Sequence, residues 1–110
     1  MSAQTITLEV YQGATLAFTM DYVGQDGTPA PDLDVATANL RLAQNGGGGF
    51  IEGDVDAESG TVSFEVPPFR TQRWPTDASG VGFQVWLQYD TEPPRAECVL
   101  EGTVQVREAL

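Results

Sequence analysis

The segment GDVDAESGTVSFE, residues 53–65, admits two readings that lead to different folds. Counted from Asp54, carboxylates fall at the first, third, fifth and twelfth places of an EF-hand calcium loop, as Asp54, Asp56, Glu58 and Glu65. That loop needs glycine at its sixth place for a sharp bend, and Ser59 stands there instead. It also needs a helix on each side. The downstream residues read as strand: TVSFEV alternates cleanly on Val62, Phe64 and Val66, and DAESG supplies a reversal before it. A hairpin accounts for the whole segment. Acidic turns also collect hard cations on oxygen ligands, so Asp54, Asp56 and Glu58 stand as weak candidates for a calcium site of another kind.

The same period of two runs outward in both directions. In TITLEVYQG, Ile6, Leu8 and Val10 point one way and Thr5, Thr7 and Glu9 the other. ATLAFTMDYVG repeats the pattern on Leu16, Phe18, Met20 and Tyr22, and GQDGTPAP ends it with the turn dipeptide Asp26-Gly27. A third strand runs through Ala38, Leu40 and Leu42 to a stop at the four glycines 46–49, and a short fourth lies near residues 50–55. PPFRTQRWPTDASG breaks the alternation, leaving room for a loop or one helical turn. VGFQVWLQYD then places Phe83, Val85, Leu87 and Tyr89 inward, and AECVLEGTVQVRE closes the chain on Cys98, Leu100, Val104 and Val106. About seven short strands without a sustained helical period predict an all-β fold: a single antiparallel β-sandwich of immunoglobulin-like type spanning residues 1–110.

Charge narrows the partners. Sixteen acidic residues face five arginines, with no lysine or histidine, for a net charge of -11. Nucleic acid and anionic membrane surfaces repel such a chain, so neither is an expected partner. No segment approaches the roughly 20 apolar residues of a membrane helix, and the N-terminus lacks a signal-peptide pattern. The missing histidine removes the usual general base at neutral pH, and no nucleophile motif, phosphate loop or metal cluster appears; no catalytic residue and no cofactor are expected. Cys98 reads as a small buried hydrophobe.

Contact surfaces are more legible than chemistry. FRTQRWP gathers Phe69, Arg70, Arg73 and Trp74, residue types enriched at interface hot spots. The alternative for this loop is a lid, with both aromatics plugging one end of the sandwich and the arginines in solvent. Trp86 is out of phase with its inward neighbours, so it belongs on the outer face, covered by another subunit or by its own chain. The N-terminal strand is a natural edge for pairing with a further chain.

The order LEVYQGATLAFTMDY, DGTPAPDLDVATANLRL, GTVSFEV, VGFQVWLQYD and RAECVLEGTVQV resembles small tailed-bacteriophage virion proteins with immunoglobulin-like folds. The same frame is similar to the N-terminal domain of phage baseplate upper proteins. The resemblance spans nearly the whole chain and implies a non-enzymatic structural role. It also implies localisation to the virion after synthesis in the host cytoplasm, with other virion proteins of tail, baseplate or capsid as partners. A baseplate upper protein continues into a long C-terminal region, whereas this chain ends at Leu110, so the expectation is a separate small accessory or adaptor protein, with a homo-oligomer on the particle among its expected states. Its candidate docking residues are Phe69, Arg70, Arg73, Trp74 and Trp86. Capsid decoration is the alternative within this class. A host-surface carbohydrate-binding module stacking sugars on Trp86 and Tyr11 is the alternative outside it.

Overall fold

The computed structural model describes residues 4–22 and 33–109; the Asp26-Gly27 turn expected from the sequence lies outside them. Among the described residues the chain forms eight strands in two sheets. Strands β1 (Gln4–Tyr11), β3 (Ala36–Leu42), β4 (Phe50–Glu52), β7 (Val81–Tyr89) and β8 (Arg95–Arg107) make one sheet in the order β1-β8-β7-β3-β4. Strands β2 (Leu16–Asp21), β5 (Asp54–Asp56) and β6 (Thr61–Val66) make the other, in the order β2-β6-β5.

The apolar halves of the alternating strands meet between the sheets. Leu40, Val85, Leu87 and Val104 from the larger sheet pack with Leu16, Val62, Phe64 and Val66 from the smaller. Burying each such side chain contributes about 1.5–3 kcal/mol. Phe18 joins the layers, its ring centroid 5.4 Å from Phe64 and 6.2 Å from Phe83.

Three features depart from the pattern read in the sequence. The larger sheet is mixed: β1 runs parallel to β8, with Ile6 opposite Gly102 and Val10 opposite Val106, while the remaining pairs are antiparallel. Parallel neighbours need a long connection, and here the rest of the domain lies between these two strands. The bend at YQG, closed by the Ala14 amide on the Tyr11 carbonyl at 2.9 Å, sends the chain on to β2 in the opposite sheet.

The expected fourth strand is two strands in different sheets. The Gly53 amide still donates to Ala38 of β3 at 2.9 Å, but the next residue, Asp54, pairs with Ser63 of β6. One continuous stretch of sequence therefore crosses the sandwich, which raises the count from seven strands to eight.

The third departure is a bulge in β8. Val85 pairs with Leu100 and Trp86 with Cys98, which leaves Val99 as an extra residue. An extra residue reverses the phase of every side chain beyond it. Leu100, Val104 and Val106 face the core as expected, but Cys98 does not: it lies opposite Trp86 and is only half-buried. Glu97 takes the inward phase instead, opposite Leu87.

Candidate docking surface

The loop after β6 opens with the helical turn α1 (Pro68–Thr71), which Pro67 and Pro68 favour because proline is pre-set for a first helical turn. Its packing explains why the sequence marked it. Thr71 is buried, with its hydroxyl donating to the Ala14 carbonyl at 2.7 Å, and Gln12 donates through Nε2 to the Trp74 carbonyl at 3.0 Å. The Trp74 indole N–H donates to the Gly46 carbonyl at 3.0 Å.

These bonds correct one site residue. Trp74 is 1% exposed, so its ring plugs the end of the core and cannot be touched by a partner. The lid account holds for Trp74 and not for Phe69, which is 71% exposed. Arg70 donates through Nη2 to the Gly48 carbonyl at 2.9 Å, which ties α1 to the glycine loop. Gly47, Gly48 and Gly49 sit at φ of +96°, +65° and +68°, a left-handed run that side-chain-bearing residues resist; this is why the connection between β3 and β4 is built of glycine. Phe69, Arg70 and Arg73 face this loop across a shallow depression whose other wall is residues 44–47.

A second surface lies on the outer face of the larger sheet. Trp86 stands there, half-buried, between Asn39 and Cys98 on the flanking strands. Its own chain covers part of it: the Arg41 guanidinium carbon is 4.4 Å from the ring centroid, and the indole N–H donates to Gln84 Oε1 at 2.9 Å. Phe50 pairs opposite Arg41 and is 61% exposed. Sequence reasoning missed Phe50, because a three-residue strand after four glycines is too short for alternation to assign its face. Beside Trp86, burial pushes the Cys98 pKa up, which keeps it a thiol and not a nucleophile. The Phe69 loop lines one depression, while Arg41 and Gln84 on the outer sheet face line another, separate one.

The acidic segment 53–65 is a hairpin. β5 and β6 pair antiparallel, with Val55 opposite Val62, and the turn is closed by the Gly60 amide on the Asp56 carbonyl at 2.8 Å. Asp56 accepts the Ser59 amide at 3.2 Å, so one carboxylate serves the turn itself. Asp54, Asp56 and Glu58 are all exposed, and among the described residues no three His, Cys, Asp or Glu side chains gather closely enough to hold a metal ion.

One polar cluster had no signal in the sequence. The Tyr22 and Tyr89 hydroxyls both donate to Glu97 Oε1, at 2.7 and 2.8 Å, with the Arg95 guanidinium carbon 4.3 Å from the Tyr89 ring centroid. Tyr22 follows β2 while Tyr89 and Glu97 belong to β7 and β8, so the carboxylate latches one sheet to the other. The Tyr22 hydroxyl, opposed by some burial and helped by Tyr89, holds the Glu97 pKa below the usual carboxylate value. Burial, reinforced by Glu97, pushes both tyrosines above their usual value. This is a structural clasp facing solvent at one end of the sandwich.

No helix among the described residues is long and apolar enough to cross a membrane. A search of the curated proteins found no match. The family model described as LtfC-like, β-sandwich domain matches residues 2–107, which takes in both sheets and both candidate surfaces. The chain thus belongs to the LtfC-like β-sandwich domain family, a family associated with phage tail fibres.

Proposed function

We propose that the protein is a non-enzymatic structural component of the phage tail, an accessory or adaptor that docks onto other virion proteins near the fibre base or baseplate. The observation that carries this reading is the outer sheet face, where Phe50 and the Arg41-covered Trp86 form an aromatic and arginine surface in a tail-fibre-associated family. Aromatic and arginine side chains are the usual anchors of protein interfaces. On a symmetric particle one modest interface acts many times over, so weak single-site affinity suffices.

Sugar stacking on Trp86 is less well supported, because Arg41 already occupies a face of the ring that a pyranose would need. Catalysis finds little support in a histidine-free chain in which the Glu97 carboxylate is engaged in joining the sheets.

The test is to purify virions, separate heads from tails, and count copies of the protein in each fraction by quantitative mass spectrometry. Enrichment with tails, in a copy number matching tail symmetry, is the expected result. Hundreds of copies on heads would assign it to capsid decoration, and absence from both fractions would remove the virion reading.

A further inference from the structure

The chain carries a net charge of -11, with sixteen acids against five arginines, and three of those arginines are engaged internally: Arg41 on Trp86, Arg95 on Tyr89 and Arg107 on Glu9 at 2.9 Å. Arg70 and Arg73 differ. Among the described residues, the bond that holds the Arg70 guanidinium goes to the neutral Gly48 carbonyl, and Arg73 has no side-chain partner. In a molecule with a threefold excess of carboxylates, Arg70 and Arg73 are two neighbouring guanidiniums without a carboxylate partner among the described residues, whereas Arg41, which also lacks one, stands against the Trp86 ring.

The spot is also preorganised. Arg70 is fixed by Gly48, while Thr71 and Trp74 pin the loop to Ala14 and Gly46. A rigid surface loses little entropy on binding. The 71% exposed ring of Phe69 stands beside the two charges, and the facing wall is formed by Gln44, Asn45 and the exposed main chain at Gly47, which together offer amide groups to an extended backbone.

We propose that this groove receives an acidic, extended segment of a partner virion protein, with carboxylates on Arg70 and Arg73 and an apolar side chain on Phe69. The inference rests on the docking reading above and adds the chemistry of one partner. Nucleic acid is the poorer fit: two charges provide little counterion release, and a phosphodiester chain carries a denser negative charge into the field of an acidic protein.

The probes are three fluorescein-labelled chains of equal length: a peptide alternating Glu and Leu, its Lys and Leu counterpart, and oligo-dT. Each is titrated into the full-length protein and followed by anisotropy. The acidic peptide alone should bind, more weakly as salt rises. Arg73→Glu, which removes no contact within the chain and should leave the melting temperature unchanged, should weaken it about tenfold or more, the scale of a lost charge-assisted pair. Preference for the basic peptide or for oligo-dT, binding that survives both R73E and Phe69→Ala, or no binding to any probe overturns the proposal. The R73E protein is also counted on purified tails. Absence of the wild-type protein from tails defeats the docking reading whatever the peptides do. Equal occupancy by wild type and R73E defeats this inference alone.

Discussion

The guanidinium of Arg41 lies over the indole of Trp86, 4.4 Å from the ring centroid, on the outer face of the larger sheet. Such a contact at a half-exposed site is worth about 0.5–1 kcal/mol, so its main effect is on access. Arg41→Ala should lower stability by no more than about 1 kcal/mol while raising acrylamide quenching of tryptophan fluorescence. The chain has two tryptophans and Trp74 is buried, so the added quenching reports Trp86. Unchanged quenching would mean that Arg41 does not cover the ring in solution.

Trp74 should behave in the opposite way, as a stability residue. Trp74→Phe leaves the Gly46 carbonyl without its indole donor, at a cost of about 1–3 kcal/mol in urea unfolding. Trp74→Ala empties the end of the core and should cost about 3–5 kcal/mol. If either variant unfolds like wild type yet loses its place on the particle, Trp74 is a contact residue and the buried assignment fails.

How much of the fold and of the candidate surfaces was legible depends on the range of each interaction. Alternation is a local signal, and it correctly placed Leu40, Phe64, Val85 and Leu87 in the core and Trp86 on the outer face. Features that depend on which strand lies alongside were invisible. Val99 looks like any strand residue until its pairing with β7 shows that it is the extra one, and that shift alone turns Cys98 outward and Glu97 inward. Trp74 and Phe69 looked equivalent, since nothing in FRTQRWP says which aromatic meets Gly46. The Tyr22, Tyr89 and Glu97 clasp joins residues up to 75 positions apart, so no motif could announce it.

The parallel edge strand depends on Gly102. It sits opposite Ile6, and a Cβ placed on it would collide with the Ile6 carbonyl oxygen, a main-chain atom that cannot rotate away. Gly102→Ala should therefore push β1 off β8, costing about 1–3 kcal/mol as over-packing does. Hydrogen exchange localises the effect: amides of β1 should lose protection while those of β3 and β7 keep theirs. Equal protection in β1 would show that the sheet edge tolerates the methyl group and that the close approach is not required.

The clasp sets a pH window. Glu97 has a folded pKa below the ordinary 4.5, chiefly through the Tyr22 hydroxyl, so its contribution is present above 4.5 and lost as pH falls through the lower folded value. Around that value the unfolded chain binds more protons than the folded one, and stability rises with pH. The tyrosines work with the reverse sign. Their folded pKa values lie above the ordinary 10.0, chiefly through burial, so their contribution is complete below 10.0 and declines as pH rises through the folded values. Glu97→Gln should therefore differ most from wild type between these limits, with the gap in urea midpoint closing toward acid as wild-type Glu97 takes up its proton. Tyr22→Phe and Tyr89→Phe should flatten the alkaline decline. A gap that stays constant from about pH 3 to 7 would show that the Glu97 charge plays no part in joining the two sheets.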